Sequence, residues 1–155
     1  MINTTLCYIE KDGKYLMLHR VKKKNDVNQD KYIGIGGKFE NGETPLECAL
    51  RETREETGLE VLNYAYRGIV YFSCPPYPDE TMHLFTATEF EGKLIECDEG
   101  DLMWLEKEKL NSLPLWEGDH IFLGLLEEGA PFFELKLNYS GDKLVSAILN
   151  GEKIR

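Results

Sequence analysis

The chain has 155 residues, 42% hydrophobic and 30% charged, with 28 acids against 18 bases and a formal net charge of -10. That length supports one hydrophobic core of ordinary size, so a single domain over residues 1–155 is expected. A surface this acidic repels a polyphosphate backbone and disfavours long nucleic acid, and no run of 18 apolar residues is present to cross a bilayer.

A small anionic substrate stays open, because a bound divalent cation reverses the sign of the field locally. Met1-Ile2-Asn3-Thr4-Thr5 carries no basic region followed by an apolar stretch, so a secretory signal is not expected. Cys7, Cys48, Cys74 and Cys97 are far apart and form no Cys-x-x-Cys pair. Neither a zinc site nor a disulfide framework is expected, and reduced thiols in the cytoplasm fit the pattern.

In chain order, Leu6 to Ile9 and Tyr15 to Leu18 flank Lys11-Asp12-Gly13-Lys14 and predict a hairpin with an Asp-Gly turn. Lys22 to Asp30 is polar and reads as a loop. Tyr32 to Phe39 is short, apolar and glycine-punctuated, a strand and turn where backbone approaches something closely. Thr44 then serves as an N-cap, Pro45 opens a helix and Glu47 completes a Thr-x-x-Glu capping box. The helix runs to about Thr57, stopped by Gly58, with Leu46, Ala49, Leu50 and Thr53 as its expected buried stripe.

Tyr66 to Phe72 and Met82 to Glu89 predict strands around the turn-rich Pro75-Pro76-Tyr77-Pro78, and Asp101 to Leu105 a further strand. A second helix is expected over Glu117 to Glu127, and Phe132 to Leu137 with Leu144 to Leu149 as a closing hairpin. Strands interleaved with two helices predict an α/β (α+β) sandwich, with a mixed sheet between helices on both faces.

Four acids crowd the first helix: Glu43 just before it, then Glu52, Glu55 and Glu56. At 100° per residue the last three share an arc of about 100°. Like charges at i,i+4, as in Glu52 and Glu56, cost roughly 0.2–0.5 kcal/mol unless a cation neutralises them. Magnesium takes oxygen ligands and completes its shell with phosphate and water. A glutamate cluster alone reads first as a solvated face paired with Arg51 and Arg54. The arrangement around it favours the metal: Gly36-Gly37 brings unhindered carbonyls to the helix start, with Glu43 six residues on and Arg51-Glu52 eight after that. Rival motifs fail. Gly-Gly-Lys-Phe lacks the Ser or Thr of a P-loop, Asp98-Glu99-Gly100-Asp101 lacks the calcium-loop pattern, and no His pair has zinc spacing.

Gly37-x5-Glu43-x7-Arg51-Glu52-Thr53-x-Glu55-Glu56-x-Gly58-Leu59 resembles the 23-residue box of the Nudix family, softened only at Thr53, where the family usually has an aliphatic residue. The resemblance implies a Nudix-type fold and a magnesium-dependent hydrolase (manganese as an alternative) acting on a nucleotide diphosphate. It implies Glu52, Glu55 and Glu56 as catalytic and metal-binding residues, the Gly36 or Gly37 carbonyl as a further ligand, and Glu43 with Arg51 as a brace. Which glutamate serves as the base is left open.

Beyond the box the chain resembles the oxidised-purine nucleoside triphosphatases of the MutT type. That resemblance implies Trp116 stacking on a purine, Asp119 reading its edge, Tyr71 as a pocket wall and Glu99 as a fourth acidic ligand. It implies Arg20 at the phosphates and Lys38 as a further substrate-binding residue. Read without it, Trp116 and Tyr71 serve equally as packing, Glu99 as a turn residue and Arg20, with Lys22, Lys23 and Lys24, as a solvated basic face. Trp104 reads as core, and no role is assigned to His19, His83 or His120. Ile33, Gly118 and Ser73 depart from the family, standing where it has an asparagine, a second aspartate and an aromatic.

The expected reaction converts a purine nucleoside triphosphate, 8-oxo-dGTP in particular, into monophosphate and pyrophosphate, by a monomer or homodimer. The alternatives are another diphosphate substrate (ADP-ribose, a sugar nucleotide or a dinucleoside polyphosphate) and a non-catalytic nucleotide sensor on the same fold.

Overall fold

A computed structural model describes residues 1–21, 28 and 30–155; most of the expected 22–30 loop, with Lys22, Lys23 and Lys24, lies outside the described residues. In chain order the elements are β1 (Ile2–Lys11), β2 (Lys14–His19), β3 (Tyr32–Ile33), α1 (Pro45–Thr57), β4 (Glu60–Val61), β5 (Ala65–Ser73) and β6 (Glu80–Ala87). Then follow β7 (Phe90–Glu91), β8 (Asp101–Glu106), a 3-10 helix (Lys107–Ser112), α2 (Asp119–Glu127), β9 (Phe133–Ser140), β10 (Lys143–Leu149) and β11 (Glu152–Lys153).

The predicted opening hairpin forms as β1 and β2, with Lys11 opposite Lys14. Asp12 and Gly13 both take positive φ, 52° and 74°, the conformation a two-residue turn needs to match the strand twist. The predicted closing hairpin forms as β9 and β10. The main sheet runs β11-β10-β9-β5-β6-β1-β2-β3, with β8 on the other edge of β2. It is mixed: β1 lies parallel to β6 and β5 parallel to β9, while the other pairs are antiparallel.

β1 is covered on both faces, and its pleat sends alternate residues into two cores. Leu6 and Tyr8 join Phe122, Leu123 and Leu126 of α2. Cys7 and Ile9 join Ala49 of α1 with Ile35 and Leu59. Helices on both faces of a mixed sheet are thus present as expected. Among the described residues, no helix is long and apolar enough to cross a membrane. All four cysteines are buried and free of disulfides.

One departure from sheet regularity builds the site. β2 pairs with β1 through residues 14–16, and then with β3, as Leu18 meets Ile33 and His19 meets Tyr32. The chain beyond β3 crosses back, and Ile35 and Lys38 bridge to Cys7 and Thr4 of β1. Residues 32–38 therefore fill the gap where β1 and β2 diverge. The predicted strand over Tyr32 to Phe39 is only two residues of strand, followed by this seam.

The buried stripe of α1 also differs from expectation. Cys48, Ala49, Thr53 and Thr57 are buried, whereas Leu46 is exposed and Leu50 half-buried. Small side chains let the helix axis lie close to β1, and a leucine stripe would hold it further off.

Candidate active site

The capping box forms as expected. Glu47 N–H donates to Thr44 Oγ1 at 3.1 Å, and Thr44 N–H donates to Glu47 Oε1 at 2.9 Å. Gly58 ends the helix in the left-handed region (φ 80°), its N–H donating to the Arg54 carbonyl. These caps fix the rotation of α1 and so decide where its acids point. Residues 49, 53 and 57 enter the core, so 52 and 56 project one step round the helix, toward the seam.

Glu52 and Glu56 line a cleft of about 640 Å³ together with Gly36, Gly37, Lys38, Arg20 and Glu99. Gly37 packs against Glu52 so closely that a Cβ there would lie 2.5 Å from its carboxyl carbon. Gly36 N–H donates to Glu56 Oε2 at 3.3 Å. Gly100 presses on the His19 backbone, and its neighbour Glu99 reaches Glu56. Burial, a hydrogen bond with Glu99 and the charges of Glu99 and Glu52 together hold Glu56 well above the usual carboxylate range. Burial also raises Glu52, against the opposing pull of Arg51.

Glu55 is the exception. Its carboxylate is exposed, takes a hydrogen bond from Arg51 Nη1 at 3.0 Å, and is not part of the cleft wall.

The expected brace is present. Arg51 grips Glu43 through two parallel bonds, from Nε at 2.6 Å and from Nη2 at 2.9 Å. Nη2 also donates to the Lys38 carbonyl, which ties the glycine loop to α1. Arg51, with help from the Glu40 N–H, pulls the Glu43 carboxyl down to about 2.

The donor set suits a hard divalent cation in kind, being carboxylates and one carbonyl. The Gly37 carbonyl is taken by Thr5 N–H at 2.9 Å. The Gly36 N–H faces the other way, toward Glu56. As they stand, no three acids or other ligating side chains among the described residues converge closely enough to hold an ion, and Glu52 is drawn to Arg51 Nη1 at 2.8 Å. Glu52, Glu56 and Glu99 nonetheless share one cleft, where mutual repulsion between carboxylates favours a bound cation. Glu40, Glu52, Glu56, Glu80, Glu99 and Asp119 line the cleft against Arg20, Lys38 and Arg51. An anionic ligand therefore needs a cation there.

Arg20 is 8% exposed, and its Nη1 lies 3.7 Å from Glu99 Oε2, so it joins the acid cluster rather than a solvated face. Deeper in, Ile33, Phe72, Met82, Trp116 and Asp119 contribute to the cleft wall. Trp116 is only 4% exposed. Its Nε1 donates to Asn28 Oδ1 at 2.7 Å, Phe72 and Tyr139 meet its ring edge to face, and Lys31 Nζ lies 4.5 Å over it. Burial pushes the Asp119 carboxyl up to about 8, opposed by Lys31. At Gly118 a Cβ would sit 2.5 Å from Leu137 Cδ1, and its N–H donates to Tyr139 Oη. A side chain there would have to displace the ends of Leu137 and Tyr139.

Tyr71 corrects the sequence reading. It stands on the opposite face of β5, where its hydroxyl meets Glu134 Oε2 at 3.4 Å, and Phe72 supplies the cleft wall. Trp104 is partly buried against the α1-side core, stacked on Phe90. Asn28, Lys31 and Phe72 escaped sequence reasoning. Only Phe72 left a signal, as the other phase of the period-2 alternation through Tyr71.

The NUDIX domain family matches residues 2–126. The uncharacterized Nudix hydrolase YvcI of Bacillus subtilis (strain 168) is 27% identical over 97% of this chain and 96% of its own length. An oxidized purine nucleoside triphosphate hydrolase of Danio rerio is 31% identical over 79% of this chain and 77% of its own. The structure is similar to that of a mutator MutT protein from Bacillus halodurans, with a TM-score of 0.83 and 28% identity, covering 98% of this chain and 99% of that one.

Proposed function

This chain belongs to the Nudix family as a Nudix hydrolase, and from that premise we propose that it converts purine nucleoside triphosphates, oxidised ones included, into monophosphate and pyrophosphate. The observation that carries the proposal is one cleft in which Glu52, Glu56 and Glu99 share a wall with Trp116 and Asp119. Similarity to an oxidized purine nucleoside triphosphate hydrolase supports the substrate class.

In this reading Glu52, Glu56, Glu99 and the Gly36 carbonyl hold magnesium, or manganese. The ion, when bound, lowers the pKa of a water nucleophile and neutralises charge on the diphosphate. Arg20 and Lys38 meet the phosphates, Phe72 and Trp116, in contact with each other, wall the base pocket, and Asp119 faces the base edge. Arg51 and Glu43 hold α1 against the loop, and Glu55 supports Arg51. Four buried free thiols fit work in the cytoplasm, on the free nucleotide pool ahead of DNA synthesis.

The test is hydrolysis of 8-oxo-dGTP and dGTP with magnesium, read as released monophosphate. Silence with both overturns the purine triphosphate reading. Glu56→Gln is expected to lower turnover at least about 100-fold, since it removes an anion from the metal and base position.

A second reading draws on the 4% exposure of Trp116, which leaves little of its ring free to stack on a base. That favours a nucleoside diphosphate linked to another group, recognised chiefly through its diphosphate. A panel of ADP-ribose, sugar nucleotides and dinucleoside polyphosphates separates the two by kcat/KM.

A further inference from the structure

Among the described residues, the aromatic side chains lining the cleft are Phe39, Phe72, Tyr77 and Trp116. All but one are engaged with other rings. Phe72 and Trp116 meet edge to face at 5.1 Å and both pack on Tyr139, while Phe39 lies 5.2 Å from the His83 ring. Phe72 and Trp116 are also buried, so neither offers a free face to a ligand. Tyr77 differs on both counts. It is 45% exposed, and it meets no other aromatic ring among the described residues. A single exposed tyrosine on an outer surface is ordinary. This one belongs to the wall of the cleft that holds Glu52, Glu56 and Glu99.

The backbone holds Tyr77 in that place. Phe72 of β5, Glu80 of β6 and Ile2 of β1 stand side by side in the sheet, and all three line the cleft. The segment joining β5 to β6 turns at the end of this row. Tyr77 N–H donates to the Cys74 carbonyl at 3.0 Å, and Ile2 N–H donates to the Asp79 carbonyl at 2.9 Å. Tyr77 therefore sits on a turn fastened both to the end of β5 and to β1. A tyrosine so anchored presents a large flat surface and has only two side-chain torsions to lose on binding.

Resting on the reading that this cleft takes a nucleotide, we propose that Tyr77 is the stacking surface for the nucleobase. The Phe72–Trp116 pair then shapes the pocket, and Tyr77 supplies the open ring that the pair lacks. Every base has a flat face, so stacking on Tyr77 adds affinity for nucleotides in general. The choice among bases is left to polar groups of the cleft such as Asp119.

The experiment is magnesium-dependent hydrolysis of dGTP, dATP and deoxyribose triphosphate without a base, by the parent, Tyr77→Ala and Tyr77→Phe, beside thermal melting of each. Tyr77→Ala is expected to raise KM for both nucleotides about tenfold or more, the loss of one base–aromatic stack. Its kcat is expected to stay within about twofold of the parent, because the ring binds ground state and transition state alike. Tyr77→Phe keeps the ring and is expected to match the parent, and the substrate without a base is expected to be indifferent to both changes. Melting is expected to move little, since the ring is half exposed. If KM in Tyr77→Ala stays at the parent's value, if Tyr77→Phe loses as much, or if the loss extends to the substrate without a base, the inference is overturned while the purine triphosphate reading stands. If the parent hydrolyses neither dGTP nor dATP, that reading falls and the three proteins are compared on ADP-ribose. There the same KM pattern supports stacking on Tyr77, and its absence overturns it.

Discussion

At the residue scale, the site is a set of ionisable groups buried away from water. Asp119 illustrates the cost and its sign. Its folded pKa is about 8 against an ordinary 3.8, so the folded state keeps a proton that the unfolded chain gives up. Between pH 4 and 8 the native state binds more protons, and stability falls as pH rises through that window. Glu56 carries the same sign, while Glu43, held near 2 by Arg51, contributes stability that is lost only as pH falls from about 4.5 toward 2. Asp119→Asn should therefore match the parent near pH 4 and become progressively more stable than it up to pH 8. Urea unfolding across that range checks this; a constant difference at all pH values would show that Asp119 does not titrate as a buried group. None of this was legible in sequence. The motif named the glutamates by spacing, whereas burial of Asp119 depends on how α2 meets β1.

At the element scale, α1 was the most legible part of the chain because its ends carry their own chemistry. Thr44, Pro45, Glu47 and Gly58 specify start and stop within a few residues of each, with no tertiary information needed. Half of its inner face was read correctly, Ala49 and Thr53, and half misread for a physical reason: periodicity rewarded Leu46 and Leu50, but close approach to β1 rewards Cys48 and Thr57. Tyr71 was misread through phase. Tyr71 and Phe72 are adjacent aromatics on β5, and a shift of one residue exchanges the two faces of a strand. The short β4 and β7 pair was also missed, being two residues on each side. The stop at Gly58 gives a quantitative expectation. Alanine there must take a φ of 80° and place its Cβ 2.8 Å from both Ile95 Cγ2 and the Lys93 carbonyl. Gly58→Ala should cost about 1–3 kcal/mol in urea unfolding, combining left-handed strain with overpacking. A neutral result would mean that this C-cap is not strained by a side chain.

At the scale of the whole molecule, the active site depends on where the sheet fails to close. Had β1 and β2 stayed paired along their lengths, the seam of residues 32–38 would have no place to enter, and the glycine loop would not reach α1. The two glycines of that loop meet different partners, and this separates folding from chemistry. At Gly36 a Cβ would lie 1.8 Å from the Thr5 carbonyl oxygen, a backbone atom that has nowhere to go without breaking β1 from the seam. At Gly37 the nearest atoms belong to the Glu52 carboxylate, at 2.5–2.7 Å, the end of a flexible side chain that can swing aside. Gly36→Ala is expected to lose about 3 kcal/mol or more of stability, with activity falling alongside it. Gly37→Ala is expected to stay within about 1 kcal/mol of the parent, the usual range for a change whose neighbour can move. It should still lose most of its hydrolysis, because Glu52 is turned away from Glu56 and Glu99. Urea unfolding paired with magnesium-dependent turnover distinguishes the two variants. Equal destabilisation would refute the assignment of separate roles, and full activity in Gly37→Ala would remove Glu52 from the reacting centre. The box motif requires the second glycine by position alone; the packing says that its hydrogen atom keeps space for a carboxylate, while its neighbour's keeps space for the sheet.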